Sequence, residues 1–319
     1  MVLVTVGIPC YNEEKYIGRA IESVVNQTLQ DIEIIISDNC SIDATDKIIR
    51  TYSKDDSRIA YHRQPRQITA KENFWTLLQK CQTKYFTWLA ADDFFHLEWL
   101  GVAVNFLEAN PDVIMAYSKI DMVDDNMKIQ NYPLTGFLDT TQLEPKTALR
   151  EAMIKRRCVS DGAYGLYRTD ILRSVVCPNI WCGDQIMMSH VHSKGAVKLF
   201  DQVYLIRTFR DGSHDQATQK EKRWGIILFR AMDALLVDIL KKLYEIRFVS
   251  FHPQLSLSDK FTLTGELIVD LYQIRKDKAM SYLYQKYPSL YKVAHYLEGM
   301  PTRLQRRWQK VMNSDQKMT

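Results

Sequence analysis

Three short polar clusters in the sequence each follow an apolar run that is typical of a buried strand. In open α/β sheets, ligands bind beyond the carboxyl ends of the strands, so side chains at several strand ends can share one site. Taken alone, each cluster is better explained as a turn whose polar residues cap the next helix. Their recurrence after three strands favours a shared binding site. The clusters are Pro9, Tyr11 and Asn12; Asp38, Asn39, Ser41 and Asp43; and Asp92 with Asp93.

The third cluster raises a chemical question, because an apolar run over 85–91 stops at two adjacent carboxylates, Asp92 and Asp93. Like charges repel, and neither carboxylate belongs in a protein core unless a cation or hydrogen bonds compensate it. The pair therefore predicts either a cap for the helix that follows or a cation site. A hard divalent cation, Mn²⁺ or Mg²⁺, suits one or two carboxylates when phosphate oxygens and water complete its shell.

Strand and helix patterns alternate over the first third of the chain, and this alternation positions the clusters. It predicts an α/β fold with a mostly parallel central sheet, flanked by helices and built with right-handed crossovers. Less regular residues follow at 119–160, and the pattern is helical after about 215. The predicted strands are 2–9, 32–36, 59–62, 85–91, 113–117, 162–167 and 197–206, and the predicted helices include 17–24, 70–82, 97–109 and 184–194.

Composition limits the classes of function. The chain has 319 residues and a net charge of +4, which is too small to indicate a nucleic-acid partner. Six scattered cysteines without C-x-x-C spacing predict reduced thiols and a cytoplasmic protein, and argue against a zinc site or disulfide framework. The first residues lack the basic leader of a signal peptide. No apolar run reaches the roughly 20 residues of a membrane span.

Three motifs resemble those of a known family: VGIPCYNE at 6–13, IEIIISDNCSIDAT at 32–45 and LAADD at 89–93. In this order and spacing they are similar to the nucleotide-sugar-binding half of the family-2 inverting glycosyltransferases. The resemblance covers about residues 1–212. It implies a GT-A fold, with a Rossmann-like central sheet, and transfer of a sugar from a nucleotide-diphosphate sugar.

The resemblance also implies a domain organisation. The glycosyltransferase domain would span 1–215, with a nucleotide-sugar-binding half over about 1–118 and an acceptor half over about 119–215. A helical C-terminal extension would occupy 216–319. The polar stretch QATQKEKR places the boundary between the two near 215–220.

The family pattern assigns roles around the nucleotide. Asp38 would lie against the base, since a carboxylate can accept the N–H of a uracil or guanine ring. Tyr11 and Asp43 would lie near the nucleoside. Asp92 stands at the family's metal position, while Asp93 would either bind sugar hydroxyls or cap the next helix. The same nucleotide-sugar site would also include Pro9, Asn12, Asn39 and Ser41.

The sequence departs from the family pattern at several positions. Ala90 stands where the first aspartate of the third motif is expected, so one metal ligand of a pair is missing. Asp92 can still hold Mn²⁺ or Mg²⁺ if substrate phosphates supply much of the shell. Asn39 and Cys40 replace the usual aspartate and glycine after the second strand, and the proline common after the third motif is absent.

An inverting transfer needs a base to accept the proton of the attacking hydroxyl, and such a base contributes about 10²- to 10⁴-fold. The segment WCGDQIMMSHVHSKGAVKLF resembles the part of the family that carries this base. It makes Asp184 the predicted base, with Gly183 where a glutamate often stands. Asp184 also suits the N-cap of the helix that follows, and the two roles are compatible.

Several cationic residues follow in the acceptor half. Arg168 matches a position that is often basic in the family and would bind the donor, with a solvated surface charge as the alternative. Arg207 and Arg210, with His214 just beyond, would form a lid over the diphosphate. His190-x-His192 lies in a predicted helix, where residues two apart face different directions, so this pair is predicted to be structural.

The C-terminal region carries a basic helical pattern near 303–311, with Trp308 on another face. Such a helix can lie on an anionic membrane surface, which would make the protein peripheral at the inner face of the membrane. The alternative is a helix packed on the domain with its charges in solvent. The basic face comprises Arg303, Arg306, Arg307 and Lys310.

These observations predict a metal-dependent inverting glycosyltransferase that uses a UDP-sugar and a glycan or lipid-linked acceptor. By family analogy, bacterial polysaccharide or cell-envelope glycan synthesis is the expected setting. Ala90 and Gly183 keep open a non-catalytic nucleotide- or glycan-binding protein derived from a transferase. A sugar nucleotidyltransferase is a weaker alternative, because PCYNEEKY is acidic and lacks the glycines of a phosphate loop.

Overall fold

The computed structural model describes residues 2–130, 137–154, 160–177, 183–210 and 242–268. Within these residues, eight strands form one mixed sheet flanked by helices, which confirms the predicted α/β class. The strands are β1 Val4–Cys10, β2 Ile32–Asp38, β3 Ile59–Arg63, β4 Tyr85–Trp88, β5 Phe94–Phe95, β6 Val113–Val123, β7 Leu166–Arg168 and β8 Ala196–Thr208.

The strands β1 to β4 are parallel and lie side by side in the order β3-β2-β1-β4. All seven residues of β1 are buried, as are six of the seven in β2. Both strands are rich in β-branched residues because helices cover the two faces of the sheet. The carboxyl ends of β1, β2 and β4 therefore lie at one edge, which we call the binding edge.

The second half of the sheet contains antiparallel pairs. β7 pairs antiparallel with both β4 and β6, and β8 pairs parallel with β6. The prediction of a strand over 162–167 is wrong for its first half, where a 3₁₀ turn over Ser160–Tyr164 precedes β7. Gly165 follows this turn, and a Cβ atom there would lie 2.7 Å from the carbonyl oxygen of Ala116. That close approach is the reason the chain needs glycine at this position.

Helices cover the two faces of the sheet with separate cores. α1 and α4 pack on one face, and α3 and α7 pack on the other. Two C-terminal helices, α8 (242–250) and α9 (257–268), share the second core with α7, and their presence agrees with the predicted helical pattern after about 215. The helices are α1 Ile17–Val25, α2 Thr45–Asp55, α3 Ala70–Lys80, α4 Trp99–Ala109, α5 Pro145–Leu149, α6 Thr169–Arg173, α7 Gly183–His192, α8 242–250 and α9 257–268.

The direction of α7 brings its first residues to the binding edge. β8 begins beside the first residue of β6, at the edge opposite the binding edge. α7 ends at His192, only four residues before β8, so its C-terminal end lies at that opposite edge. A helix of ten residues is about 15 Å long, enough to return the chain across the sheet. Asp184, in the first turn of α7, is thereby carried toward the binding edge.

Several sequence predictions lie outside the described residues. They are the domain boundary near 215–220, His214 and the basic helix near 303–311. Cys10, Cys40, Cys81 and Cys177, the cysteines that the structure describes, are free thiols. No helix in the described part of the chain combines the length and apolar character that crossing a bilayer requires.

Candidate functional site

The loops after β1 and β2 are tied together at the binding edge. The backbone N–H of Asn12 donates to Ser41 Oγ at 2.9 Å, and the Asn12 side-chain oxygen accepts from the N–H of Ile42, also at 2.9 Å. Asn12 adopts a positive φ of 55°, which asparagine tolerates better than most residues. Pro9 is buried within β1, whereas Tyr11 is 40% exposed beside these loops. The first two predicted clusters therefore do meet, and Tyr11 presents its ring to solvent there.

Asp38 is fully buried and receives four hydrogen bonds. Its Oδ1 accepts from the N–H and the hydroxyl of Ser41 at 2.8 and 2.5 Å. Its Oδ2 accepts from Tyr61 Oη at 3.0 Å and from Arg63 Nη1 at 2.6 Å. A carboxylate has about four acceptor positions, so this one is saturated. The structure corrects the expectation that Asp38 lies directly against a base: with 0% exposure, it holds Ser41 and Arg63 in place.

Tyr61 and Arg63 belong to the site although the sequence analysis did not select them. Both lie in β3, and Arg63 ends that strand at the binding edge. Burial raises the pKa of Tyr61, with the carboxylates of Asp46 and Asp38 acting in the same direction, so its hydroxyl remains a donor. The Arg63 side chain is partly exposed and offers a cation beside the first two loops. Ligands bind beyond the carboxyl ends of the strands, and applying this rule to the third strand as well would have identified Arg63.

Asn39 and Cys40 fix the loop that leads into α3. The Asn39 side chain forms two 2.8 Å hydrogen bonds with the backbone of Ile68, one in each direction. The backbone of Cys40 has a φ of 65°, in the left-handed region that favours glycine. This conformation explains why the family pattern carries glycine here. Asn39 is buried, so its contribution to a nucleotide site is to shape the loop.

Asp43 binds the ends of two loops. Its carboxylate accepts from the N–H of Glu14 at 3.1 Å and from the N–H of Thr45 at 3.0 Å. Burial alone would raise the pKa of Asp43, but the hydrogen bonds from Thr45 and Glu14 outweigh it and lower the pKa. Asp43 is therefore an anion that joins the first two loops, next to the predicted nucleoside position.

Asp92 forms an ion-pair cluster with Glu13 and Arg210. Arg210 Nη2 lies 2.8 Å from Asp92 Oδ2, and the same guanidinium donates to Glu13. The two carboxylate side chains are only 27% and 16% exposed. Burial raises the pKa of Glu13, and the hydrogen bond from Arg210 opposes that rise. A cationic group thus already occupies the space between two carboxylates at the binding edge.

Asp93 has a different role from the one predicted. It is 2% exposed and accepts from the N–H of Thr208 at 3.0 Å and from Arg207 Nε at 3.3 Å. It is not the cap of α4, which has Glu98 at its N-cap position and no side-chain cap. Both earlier expectations, sugar binding and helix capping, are therefore replaced by a third: Asp93 anchors the end of β8.

The burial of Asp93 perturbs its ionisation. Burial, followed by the adjacent negative charge of Asp92, raises the pKa of Asp93 to about 7. Arg207 and the Thr208 N–H act in the opposite direction but do not cancel the shift. Because Asp93 holds Arg207 and the strand that leads to Arg210, it positions both predicted lid cations at the binding edge. This anchoring role explains why a buried carboxylate follows β4 at Asp93.

Asp184 lies in the first turn of α7 and is partly exposed. Its Oδ1 accepts from the N–H of Gln185 at 2.9 Å, which suits a residue near a helix start. The negative charge of Asp184 contributes, after burial, to a raised pKa of Cys177. The backbone oxygen of Cys177 in turn accepts from Lys71, in the first turn of α3. The electrostatic effect on Cys177 and the hydrogen bond from Lys71 indicate that the first turn of α7 lies on the side of the molecule where α3 begins.

Arg168 lies apart from the other candidates. β7 runs antiparallel to β4, and Arg168 pairs with Tyr85, the first residue of β4, at the edge opposite the binding edge. Its guanidinium donates to the carbonyl oxygens of Leu107 and Val113 at 2.7 and 2.9 Å. The prediction that Arg168 binds the donor is therefore wrong. This arginine holds the end of α4 against the start of β6.

The ligand atoms at Asp92 can hold a metal ion only if a substrate supplies further ligands. Among the described residues, no group of three Asp, Glu, His or Cys side chains could hold a metal ion. Arg210 shows that a positive charge is stable between Glu13 and Asp92. One or two carboxylate oxygens are what Mg²⁺ or Mn²⁺ takes from a protein when phosphates and water supply the other ligands.

Curated relatives match about two fifths of this chain. A glycosyltransferase of Methanocaldococcus jannaschii, itself uncharacterized, is 32% identical over 129 residues, which is 40% of this chain and 44% of that protein. The chondroitin synthase of Escherichia coli is 37% identical over 123 residues, 38% of this chain and 18% of that protein. The chain thus spans less than half the length of either relative in these matches.

Solved structures resemble the fold of this chain over most of its length. Residues 1–349 of Staphylococcus aureus TarS match with a TM-score of 0.61 at 17% identity, covering 93% of this chain and 78% of that one. The same protein in complex with UDP-GlcNAc gives a TM-score of 0.60, with 96% and 78% covered. The sequence model of Glycosyl transferase family 2 matches residues 5–173, more than half of the chain. The protein is therefore a member of glycosyl transferase family 2, as the three motifs predicted.

Proposed function

We propose that this protein transfers a sugar from a UDP-sugar to a hydroxyl of a glycan or lipid-linked acceptor, with inversion at the anomeric carbon. The observation that carries the proposal is the placement of Asp184. Asp184 is partly exposed in the first turn of α7, and the direction of that helix supports a position toward the binding edge, where the nucleotide half carries Asp92. The UDP-GlcNAc complex of the structurally similar TarS supports a UDP-sugar as the donor.

Charge at the binding edge suits the diphosphate of such a donor. The bond to the sugar breaks as negative charge grows on the leaving phosphate oxygen, and nearby cations stabilise that charge. Arg63, Arg207 and Arg210 are cations held at this edge by Asp38, Asp93 and Asp92. Each can donate hydrogen bonds to phosphate oxygens.

Asp92 and Glu13 are the residues that would hold a divalent cation, Mn²⁺ or Mg²⁺. When bound, the metal would neutralise charge on the diphosphate. Since Arg210 lies between these carboxylates, it has to move toward the phosphates before either carboxylate can accept another cation. Because Ala90 replaces an aspartate of the family pattern, phosphate oxygens would supply a large part of the metal's ligands.

Asp184 is the proposed base. It accepts the proton of the acceptor hydroxyl while that oxygen attacks the anomeric carbon, and the bond from this carbon to the diphosphate breaks in the same step. A single in-line displacement inverts the configuration. The UDP product leaves with the electron pair of the broken bond. Asp184 can perform this role while its Oδ1 accepts from Gln185, because a carboxylate has further acceptor positions.

The setting of the reaction follows from the acceptor class. Polysaccharide or cell-envelope glycan assembly on the cytoplasmic side of the membrane is the proposed setting. A non-catalytic nucleotide-binding protein is the alternative, and Ala90 and Gly183 are the residues that favour it.

One experiment separates these functions. UDP binding is measured by calorimetry with Mn²⁺ and with EDTA, and release of UDP from UDP-GlcNAc is measured with and without acceptor extracts. For Asp184→Asn we expect UDP affinity to be unchanged and sugar transfer to fall by about 10²-fold or more. Asp170→Asn, an exposed aspartate in α6, is the matched control. Binding without any turnover in the unaltered protein would favour the non-catalytic alternative.

A further inference from the structure

A pocket of about 340 Å³ lies at the end of α7 farthest from Asp184. The C-terminal end of α7 forms one side, and α8 with the turn after it forms the other. The length of α7, about 15 Å, separates this pocket from the binding edge. We call it the α7–α8 pocket, defined by His190, Lys194, Arg247, Phe251 and His252.

The charge of the pocket is entirely positive among its described lining residues. Lys194 and Arg247 line it, and no aspartate or glutamate does so. In the described part of the chain, neither cation forms an ion pair or a side-chain hydrogen bond. Other basic residues in the structure behave differently: Arg58, Arg63 and Arg150 each bind a carboxylate. Two uncompensated cations that share a concave site attract an anion.

Two histidines add neutral donors to the same pocket. His190 Nδ1 accepts from the N–H of Val176 at 2.9 Å, and His252 Nδ1 accepts from the N–H of Gln254 at 3.2 Å. A neutral imidazole that accepts at Nδ1 carries its proton on Nε2, so each ring offers one N–H donor. The His190 ring is fixed by stacking on Phe248, with ring centres 4.0 Å apart. Burial, with smaller effects of Lys194 and Arg247, lowers the pKa of His190 to about 4, so it is neutral at pH 7.

We propose that the α7–α8 pocket binds a phosphate group. A phosphate presents several acceptor oxygens and negative charge, which match two cations and two imidazole donors without an opposing acid. Phe251, 80% exposed at the same pocket, suits a phosphate that is attached to an apolar or flat group. A soluble phosphorylated molecule and a lipid headgroup share this chemistry. The inference does not depend on the transferase reaction, because the pocket lies at the other end of α7.

The first test follows histidine side-chain NMR signals of the full chain during titration with inorganic pyrophosphate, in the presence of saturating UDP. Saturable shifts of the His190 and His252 signals, which are assigned with His190→Asn and His252→Asn, are expected. The double variant Lys194→Gln, Arg247→Gln should weaken this binding by about tenfold or more. The matched control Lys47→Gln, Lys54→Gln removes the same charge from exposed positions of α2 and should bind pyrophosphate normally.

The second test distinguishes the two sources of phosphate. Flotation is measured with vesicles of phosphatidylcholine alone and with equal parts of phosphatidylcholine and phosphatidylglycerol. If the ligand is a lipid headgroup, the protein floats with the anionic vesicles only, and both the double variant and Phe251→Ser lose most of that binding. If it is a soluble phosphate, pyrophosphate binds and vesicles do not. Absence of binding in both tests, or an equal loss in the control variant, overturns the proposal.

Discussion

Replacing Arg210 with glutamine tests the cluster at Asp92 most directly. Arg210 bridges Glu13 and Asp92, and any metal that binds these carboxylates must displace it. Each partly screened ion pair is worth about 0.5 to 1 kcal/mol, so the two together hold the guanidinium by about 1 to 2 kcal/mol. Without that competitor, the affinity of the UDP-free protein for Mn²⁺ should rise by roughly 5- to 30-fold.

The assay is a Mn²⁺ titration of the free protein, followed by electron paramagnetic resonance. Arg63→Gln is the control, because this substitution removes the same charge from the binding edge. The native Arg63 binds Asp38 rather than Asp92. In the presence of UDP, the Arg210→Gln protein should bind the Mn²⁺–UDP complex more weakly, since it has lost a phosphate donor. Unchanged or weaker binding of Mn²⁺ alone would refute the displacement argument.

Two further predictions concern Asp93 and Cys40. The pKa of Asp93 is raised by burial to about 7, so its contribution to stability is greatest below the unfolded-state pKa near 4 and is lost as the pH rises through 7. Asp93→Asn should therefore flatten the pH dependence of the melting temperature between about pH 4 and 7, and an unaltered profile would contradict the assignment. Cys40 has a φ of 65°, so Cys40→Gly should raise the free energy of unfolding by about 0.5 to 1 kcal/mol. Cys40→Ala keeps the Cβ and should give no such gain; denaturant unfolding compares the two.

The fold could be predicted well because it depends on local patterns. Apolar runs at period two and period 3.6 identified most strands and helices to within a few residues. Parallel strands then brought the polar residues after β1, β2 and β4 to one edge. Arg168 was assigned to the donor by family resemblance alone; its strand runs antiparallel to β4, so Arg168 lies at the opposite edge.

The sequence by itself determined the alternation of strands and helices, the three motifs at the strand ends and the position of Asp184 at a helix start. Only the tertiary structure decided what the carboxylates bind. Asp38 receives donors from β3, and Asp92 and Asp93 receive theirs from the end of β8, more than 110 residues later. Those partners come from strand order and direction across the sheet, which depend on packing between distant segments. For that reason Asp38 and Asp93 are buried and hold neighbouring residues in place, while Asp92, Asp184 and the surrounding arginines are the proposed contacts of the donor and acceptor.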